Sequence, residues 1–182
     1  MSDAMKRICV FCGANTGRDP VFAVAAEHFG RSLAARGYDL IYGGGSVGLM
    51  GVVARAAKRA GGEVIGVIPT FLRYVEAPDG DVTEMHVVQS MHERKQMMFD
   101  FADAFISLPG GIGTMDETIE MMTWSQLERH AKPIVLVDTL GYWSAFDTLM
   151  QTIVENGFAR PNLMGLYKIA PDPASALSIL RA

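Results

Sequence analysis

Short, continuously apolar runs alternate with segments whose apolar residues recur at helical spacing. Such runs indicate strands that are buried on both faces, which is typical of a parallel sheet with helices on either side. We therefore predict an α/β fold: a doubly wound, Rossmann-like parallel sheet in a single domain of residues 1–182. The expected strands are 6–12, 39–42, 63–68, 86–89, 103–108, 133–137 and 167–170. The expected helices follow them: 20–36, a helix after the glycine loop 43–51 that ends at about residue 60, 91–102, 114–129, 143–156 and 173–180.

Composition narrows the class of protein. The 182 residues are 49% hydrophobic, which is typical of a globular chain, and the net charge of −4 provides no field that attracts nucleic acid or an anionic membrane. No apolar run approaches the roughly 18 residues of a membrane span, and the start of the chain lacks a signal peptide's apolar region. We expect a cytoplasmic protein.

Cys9 and Cys12 form a C-x-x-C without a second pair or a nearby histidine, so we expect two reduced, buried cysteines.

The most informative stretch joins the predicted fifth strand to the helix after it. It reads Pro-Gly-Gly-Ile-Gly-Thr-Met-Asp-Glu from Pro109 to Glu117. A glycine turn at a helix N-terminus lets backbone N–H groups approach an anion, and the helix dipole adds positive potential there. An alternative reading is a capping box between Thr114 and Glu117, in which the segment is only a well-formed helix start. Three glycines within four residues exceed what a cap needs and favour the anion site.

A basic pair, Arg94 and Lys95, lies on the preceding predicted helix. Arg94 shares its side of that helix with apolar residues three, four and seven positions away. A guanidinium in an apolar stripe needs an anionic partner, from a ligand or from the protein. A phosphate, a ribose hydroxyl or Glu117 could each be that partner. For Lys95 a solvent-exposed position and a ligand contact are equally compatible with the pattern.

Glu117 is the candidate acid–base residue, with Glu120 one turn further along the same helix. A carboxylate beside a sugar can activate water and stabilise an oxocarbenium-like transition state.

The four histidines show no metal-ligand spacing, and we expect no metal. The residues Gly43, Gly45 and Gly48 match G-x-G-x-x-G, but the acid that a dinucleotide site needs after the next strand is missing. This loop is better explained as lining a mononucleotide pocket.

Three motifs together resemble the LONELY GUY family of cytokinin riboside 5′-monophosphate phosphoribohydrolases. They are the glycine loop from Gly43 to Gly51, the segment Met91–Lys95 and the segment Pro109–Glu117. The resemblance implies Arg94 and Glu117 as catalytic residues. It also implies a set of nucleotide-binding positions: Glu76, Arg94, Lys95, Gly110, Gly111, Ile112, Gly113, Thr114, Met115, Asp116, Glu117 and Thr123.

The same resemblance implies an activity and an assembly. Members of the family release the base from N6-modified AMP, and several act on AMP itself, without a cofactor. They are Rossmann-like homodimers whose pockets lie close to the subunit interface. A non-catalytic carrier of the same fold, like the molybdenum cofactor carriers, is the alternative, and an NAD-binding oxidoreductase is a third. The sequence does not decide between a prenylated nucleotide and AMP as the substrate.

Overall fold

Seven strands and six α-helices alternate along residues 5–74 and 82–180, the part of the chain that the computed structural model describes. The strands are β1 (Arg7–Phe11), β2 (Asp39–Tyr42), β3 (Val64–Pro69), β4 (Glu84–Val88), β5 (Ala104–Ser107), β6 (Ile134–Val137) and β7 (Lys168–Ala170). The helices are α1 (Pro20–Ala35), α2 (Gly48–Arg59), α3 (Met91–Phe101), α4 (Ile112–Gln126), α5 (Ser144–Glu155) and α6 (Pro173–Ile179). Two 3₁₀ helices flank α5, at Thr139–Gly141 and Pro161–Gly165.

The strands form one sheet in the order β4-β3-β2-β1-β5-β6-β7, and every paired neighbour runs parallel. The predicted doubly wound, Rossmann-like sheet is therefore confirmed. The order of the strands reverses between β1 and β5, since the chain first builds outward to β4 and then returns to the other side of β1. Ligands of such sheets bind at this switch point, beyond the carboxyl ends of the strands.

Helices cover both faces of the sheet. On one face α1, α2 and α6 pack with residues such as Phe29, Leu49 and Leu177. On the other face α3, α4 and α5 contribute residues such as Met98, and the fully buried Trp143 lies among them. Burial of the apolar surface in these two layers is the main favourable contribution to stability. It also fixes the direction in which α3 and α4 present their remaining side chains.

The helix boundaries follow local sequence signals. Asp19 caps α1 by accepting a hydrogen bond from the Val21 amide at 2.9 Å, and Pro20 is the first helical residue, as the sequence predicts. Ser90 caps α3 in the same way through the Glu93 amide. The bounds of the other helices differ from expectation by a few residues. The largest differences are at α2, which begins at Gly48 inside the expected glycine loop, and at α4, which begins two residues before Thr114 and ends at Gln126.

The two cysteines are buried, Cys9 in the central strand β1 and Cys12 directly after that strand. Cys9 and Cys12 are both free, which confirms the expected reduced pair. Burial in apolar surroundings raises the pKa of the Cys9 thiol well above its ordinary value, so the group stays a neutral thiol. Among the described residues, no helix is long and apolar enough to cross a membrane.

The contact between α1 and α2 requires a residue without a side chain at Gly30. A Cβ atom there would lie 2.5 Å from the Val53 carbonyl oxygen of α2. We expect Gly30→Ala to force the helices apart and to lower the free energy of unfolding by about 1–3 kcal/mol, measured by urea denaturation. Gly165→Ala is the matched control, because a Cβ atom at Gly165 meets nothing within 4 Å. Equal stabilities of the two variants would show that α1 and α2 tolerate a methyl group between them.

Candidate active site

A cavity of about 500 Å³ lies at the carboxyl edge of the sheet, around the switch point between β1 and β5. The loops after β1, β2 and β5 surround it together with the N-terminus of α4 and one side of α3. Its volume falls within the range of small-molecule sites. The lining residues that carry polar side chains are Asn15, Thr16, Arg94, Thr114, Asp116, Glu117 and Tyr142.

The N-terminus of α4 opens into this cavity. Gly111 is the N-cap residue, and no side chain caps it. Within the described residues, the amide N–H groups of Gly111, Ile112, Gly113 and Thr114 have no hydrogen-bond acceptor. The capping-box alternative is wrong, because Thr114 lies inside the helix and is buried. Free amides at the positive end of the helix dipole form a site suited to an anion.

Arg94 reaches the cavity from α3 and is only 5% exposed. Its Nε donates to the Val67 carbonyl at 3.0 Å, and its Nη2 donates to the Gly43 carbonyl at 2.6 Å. Both carbonyls belong to the ends of neighbouring strands. The remaining nitrogen, Nη1, lies 3.8 Å from Glu117 Oε1. Nη1 also lies 3.8 Å from Met91 Sδ. Of the anionic partners that the sequence leaves open for Arg94, Glu117 is thus within reach, and two backbone carbonyls and the Met91 sulfur are its other partners.

Glu117 lies one helical turn beyond the free amides, with 12% of its side chain exposed. Burial raises the pKa of this carboxyl to about 7, although the Arg94 guanidinium acts in the opposite direction. A carboxyl group with this pKa exchanges protons near neutral pH. The position beside an anion site and the shifted pKa suit a general acid or base.

Lys95, the second member of the basic pair, contacts carboxylates of α4 and not the cavity. Its Nζ lies 3.1 Å from Asp116 Oδ2 and 2.8 Å from Glu120 Oε2. Burial lowers the pKa of Lys95, but hydrogen bonds to Glu120 and Asp116 outweigh that effect and raise it. The ion pairs join α3 to α4 and so hold Arg94 and Glu117 at a fixed separation.

The structure places most of the predicted binding residues together. Arg94 lines the cavity together with residues of the glycine turn and of the first two turns of α4. These residues are Gly110, Gly111, Ile112, Gly113, Thr114, Asp116 and Glu117. Lys95, Met115 and Thr123 do not line it. Thr123 is exposed on the outer side of α4, where its hydroxyl donates to the Ile119 carbonyl. Glu76 lies outside the described residues.

The glycine loop after β2 lines the cavity in part, as expected of a loop beside a mononucleotide pocket. Gly43 belongs to the cavity wall, whereas Gly45 and Gly48 do not. Gly43 is required for a different reason than dinucleotide binding. A Cβ atom at Gly43 would overlap Arg94 Nη2, so a side chain there would displace the guanidinium.

Sequence reasoning missed several lining residues: Asn15, Thr16, Phe22, Leu72 and Tyr142. Asn15 and Thr16 follow β1, and Tyr142 follows β6. A signal was available for these three, because they follow strands whose carboxyl ends share one edge. Phe22, on the first turn of α1, gives no such signal.

Among the described residues, no group of three or more His, Cys, Asp or Glu side chains could hold a metal ion.

The sequence is similar to those of known proteins over most of its length. Residues 50–180 match the family model described as "Possible lysine decarboxylase". The chain is 44% identical over 167 residues to cytokinin riboside 5′-monophosphate phosphoribohydrolase LOG7 of Arabidopsis thaliana, covering 92% of this chain and 77% of that protein. It is 45% identical to the LOG enzyme of Oryza sativa subsp. japonica, over 91% of this chain and 69% of that one. The chain belongs to the LONELY GUY family.

The fold extends beyond the LONELY GUY family. The molybdenum cofactor binding protein of Rippkaea orientalis superposes with a TM-score of 0.74, covering 98% of both chains. Its sequence identity to this chain is 22%. The likeness therefore shows a common fold, and the function must be argued from the cavity.

The raised pKa of Glu117 links stability to pH. Between its ordinary value of 4.5 and about 7, the folded protein binds this proton and the unfolded chain releases it, so the stabilisation is lost as the pH rises. Relative to Glu117→Gln, we expect the wild-type protein to lose about 2 kcal/mol of unfolding free energy between pH 5 and pH 8. Urea denaturation at both pH values measures this, with Glu155→Gln, at an exposed carboxylate of α5, as a control for removing a negative charge. A difference that stays constant with pH would contradict the assignment.

Proposed function

We propose that the protein hydrolyses the N-glycosidic bond of adenosine 5′-monophosphates, including N6-modified ones, and releases the free base and ribose 5-phosphate. The observation that carries the proposal is the position of Glu117. This buried carboxyl lies in the same cavity as Arg94 and one helical turn from four free amides. The names of the relatives, cytokinin riboside 5′-monophosphate phosphoribohydrolases, support the same reaction.

The 5′-phosphate binds at the turn from Gly110 to Thr114. The free amides donate to the phosphate oxygens, and the dipole of α4 adds favourable potential. A substrate held there by its phosphate places its ribose further along α4, at the level of Glu117. The cavity is large enough for a nucleoside monophosphate.

Glu117 acts on the bond between C1′ of the ribose and the base nitrogen. As a carboxylate it accepts a proton from water, whose oxygen bonds to C1′ as the bond to the base breaks, and the base leaves with a proton. The carboxylate also stabilises the positive charge that develops on the sugar. Arg94 orients Glu117, because two of its nitrogens are held by carbonyls and the third faces the carboxylate. No step requires a metal or an organic cofactor.

The other functions fit this cavity less well. A pyridoxal-dependent decarboxylase needs a lysine for the Schiff base, and no lysine is among the described residues that line the cavity. Lys95 is instead held by Asp116 and Glu120. A cofactor carrier has no use for a buried carboxyl that titrates near neutral pH beside a guanidinium. Among the described residues that line the cavity, the carboxylates are Asp116 and Glu117 of α4, and none follows β3, where an NAD site needs one.

A second copy of the chain would explain the position of Thr123. We infer that the protein is a homodimer that uses the outer face of α4, where Ile119 and Leu127 are 42% and 65% exposed. Thr123 lies between them at helical spacing, and the exposed Phe158 lines the same surface pocket as Leu127. Apolar side chains on one face of this kind are typical of an interface. In such a dimer Thr123 can contact nucleotide in the partner's cavity.

The organisation and location of the protein are further parts of the proposal. We propose that residues 1–182 form one nucleotide-binding domain, since a single sheet incorporates strands from Arg7 to Ala170. We also propose a cytoplasmic location, because nucleoside monophosphates are metabolites of the cell interior and both cysteines are free. Limited proteolysis tests the first statement, and cell fractionation tests the second.

The function is tested by substituting the catalytic carboxylate. We expect Glu117→Gln to lower the rate of base release by about 10²–10⁴-fold while AMP still binds, because the amide cannot accept a proton. AMP and isopentenyladenosine 5′-monophosphate are incubated with each protein, and free base is measured by chromatography. Glu155→Gln, a change of the same kind at an exposed carboxylate of α5 outside the cavity, is the matched control. Unchanged turnover by Glu117→Gln would contradict the mechanism, and a preference between the substrates identifies the physiological class.

The dimer is tested on α4. We expect Ile119→Glu to convert the protein to a monomer, because the buried charge would have no partner in the interface. Light scattering coupled to size-exclusion chromatography measures the mass. Val24→Glu is the matched control, since Val24 is 63% exposed on α1, on the other face of the sheet. A wild-type monomer, or a dimer of Ile119→Glu, would place the interface elsewhere or exclude it.

A further inference from the structure

Among the described residues, Tyr142 is the one whose side chain hydrogen-bonds to the backbone of the glycine turn. Its hydroxyl donates to the Gly110 carbonyl, and its ring is part of the cavity wall. The residue lies far from the turn in sequence, in the connection from β6 to α5. No motif and no step of the proposed reaction requires a tyrosine there, so its position needs a separate explanation.

The ring of Tyr142 is held on two sides by other aromatic rings. Phe22 of α1 packs edge-on against it, with ring centroids 6.2 Å apart, and Trp143 packs edge-on at 5.4 Å. Trp143 is fully buried, and its amide donates to Asp138 Oδ1 at 2.6 Å. These contacts restrict the ring to one orientation. Because the position of the ring is set by these contacts, the hydroxyl in turn fixes the direction of the Gly110 carbonyl.

The backbone before Tyr142 carries strain. Leu140 has φ = 57°, a conformation that leucine rarely adopts, and Gly141 follows with φ = 70°. Leu140 is 66% exposed, so burial of its side chain is not the reason for this conformation. Strained residues of this kind persist where the surrounding structure needs them, and they are concentrated at functional sites. Here the strained turn of Leu140 and Gly141 places the next residue, Tyr142, in the cavity wall.

Two carbonyls fix the backbone of the glycine turn. The Pro109 carbonyl accepts from the Gly13 amide at 3.1 Å, and the Gly110 carbonyl accepts from Tyr142. The peptide between Gly110 and Gly111 is trans, so its N–H points opposite to its carbonyl. Glycine alone would leave this peptide free to rotate. Tyr142 thus determines the direction of the first free amide of the α4 N-terminus.

We propose that Tyr142 is a positioning residue that sets the orientation of the phosphate-binding turn and so favours 5′-phosphorylated ligands over nucleosides. The inference rests on the proposed function, because it assigns a phosphate to the turn. It adds a residue from outside the three motifs to the determinants of substrate selection. Tyr142 does not touch the reacting atoms, so it affects binding of the phosphate and not the chemical step.

The test removes only the hydroxyl group. Tyr142→Phe keeps both ring contacts, and we expect its affinity for AMP and for ribose 5-phosphate to fall about three- to tenfold, the effect of one neutral hydrogen bond. Isothermal titration calorimetry measures both ligands. We expect KM for AMP to rise by the same factor with kcat little changed, because the interaction is the same in the ground and transition states. Affinity for adenosine is expected to stay at its wild-type value, and the thermal midpoint to fall by no more than it does in Tyr167→Phe, which also loses one hydrogen bond.

Tyr167→Phe is the matched control. The Tyr167 hydroxyl also donates a hydrogen bond, to Asp147 Oδ1 at 2.7 Å, and Tyr167 does not line the cavity. Wild-type affinity of Tyr142→Phe for ribose 5-phosphate would overturn the proposal. An equal loss of adenosine affinity, or an equal loss in Tyr167→Phe, would overturn it as well, since either indicates a general effect. Failure of the wild-type protein to bind ribose 5-phosphate or AMP would instead count against the proposed function.

Discussion

The candidate site depends on how one buried cation is accommodated. Arg94 is nearly inaccessible to water, and a guanidinium in such a place must satisfy its donors within the protein. The carbonyls of Val67 and Gly43 accept two of its hydrogen bonds, which ties α3 to the ends of β3 and β2. The remaining nitrogen, Nη1, then lies 3.8 Å from both Met91 Sδ and Glu117 Oε1. The absence of a side chain at Gly43 and the ion pairs of Lys95 both support this one arrangement.

Much of this can be predicted from the sequence, because the informative signals are local. Continuous apolar runs separated by glycine turns are enough to infer a parallel sheet, and parallel strands bring their carboxyl ends to one edge. Arg94 is identifiable because the residues on its side of the helix are apolar, a pattern that predicts a buried guanidinium. Glu117 follows from its place in the first turns of the helix after the glycines. The resemblance to a known family adds roles to these residues.

The remaining features depend on contacts between distant segments. Helical spacing shows that Thr123 and Ile119 share a side of α4, but the direction of that side is set by packing against the sheet. Lys95 adjoins Arg94 in sequence and still points to another set of partners, because successive helical residues diverge by about 100°. Tyr142 contacts Gly110, which lies 32 positions before it in the sequence, and no local pattern encodes such a contact.

The origin of the two carbonyls that hold Arg94 has a consequence for the folding of the chain. Its hydrogen bonds join residues that are 27 and 51 positions apart in sequence, so they close large loops. Contacts of this kind form slowly, after the entropy of long segments has been lost. A partly folded chain that lacks β2 or β3 leaves the guanidinium without one of its two carbonyl acceptors. Nucleotide binding is therefore a property of the completed sheet, and ligand present during refolding would stabilise only the final state.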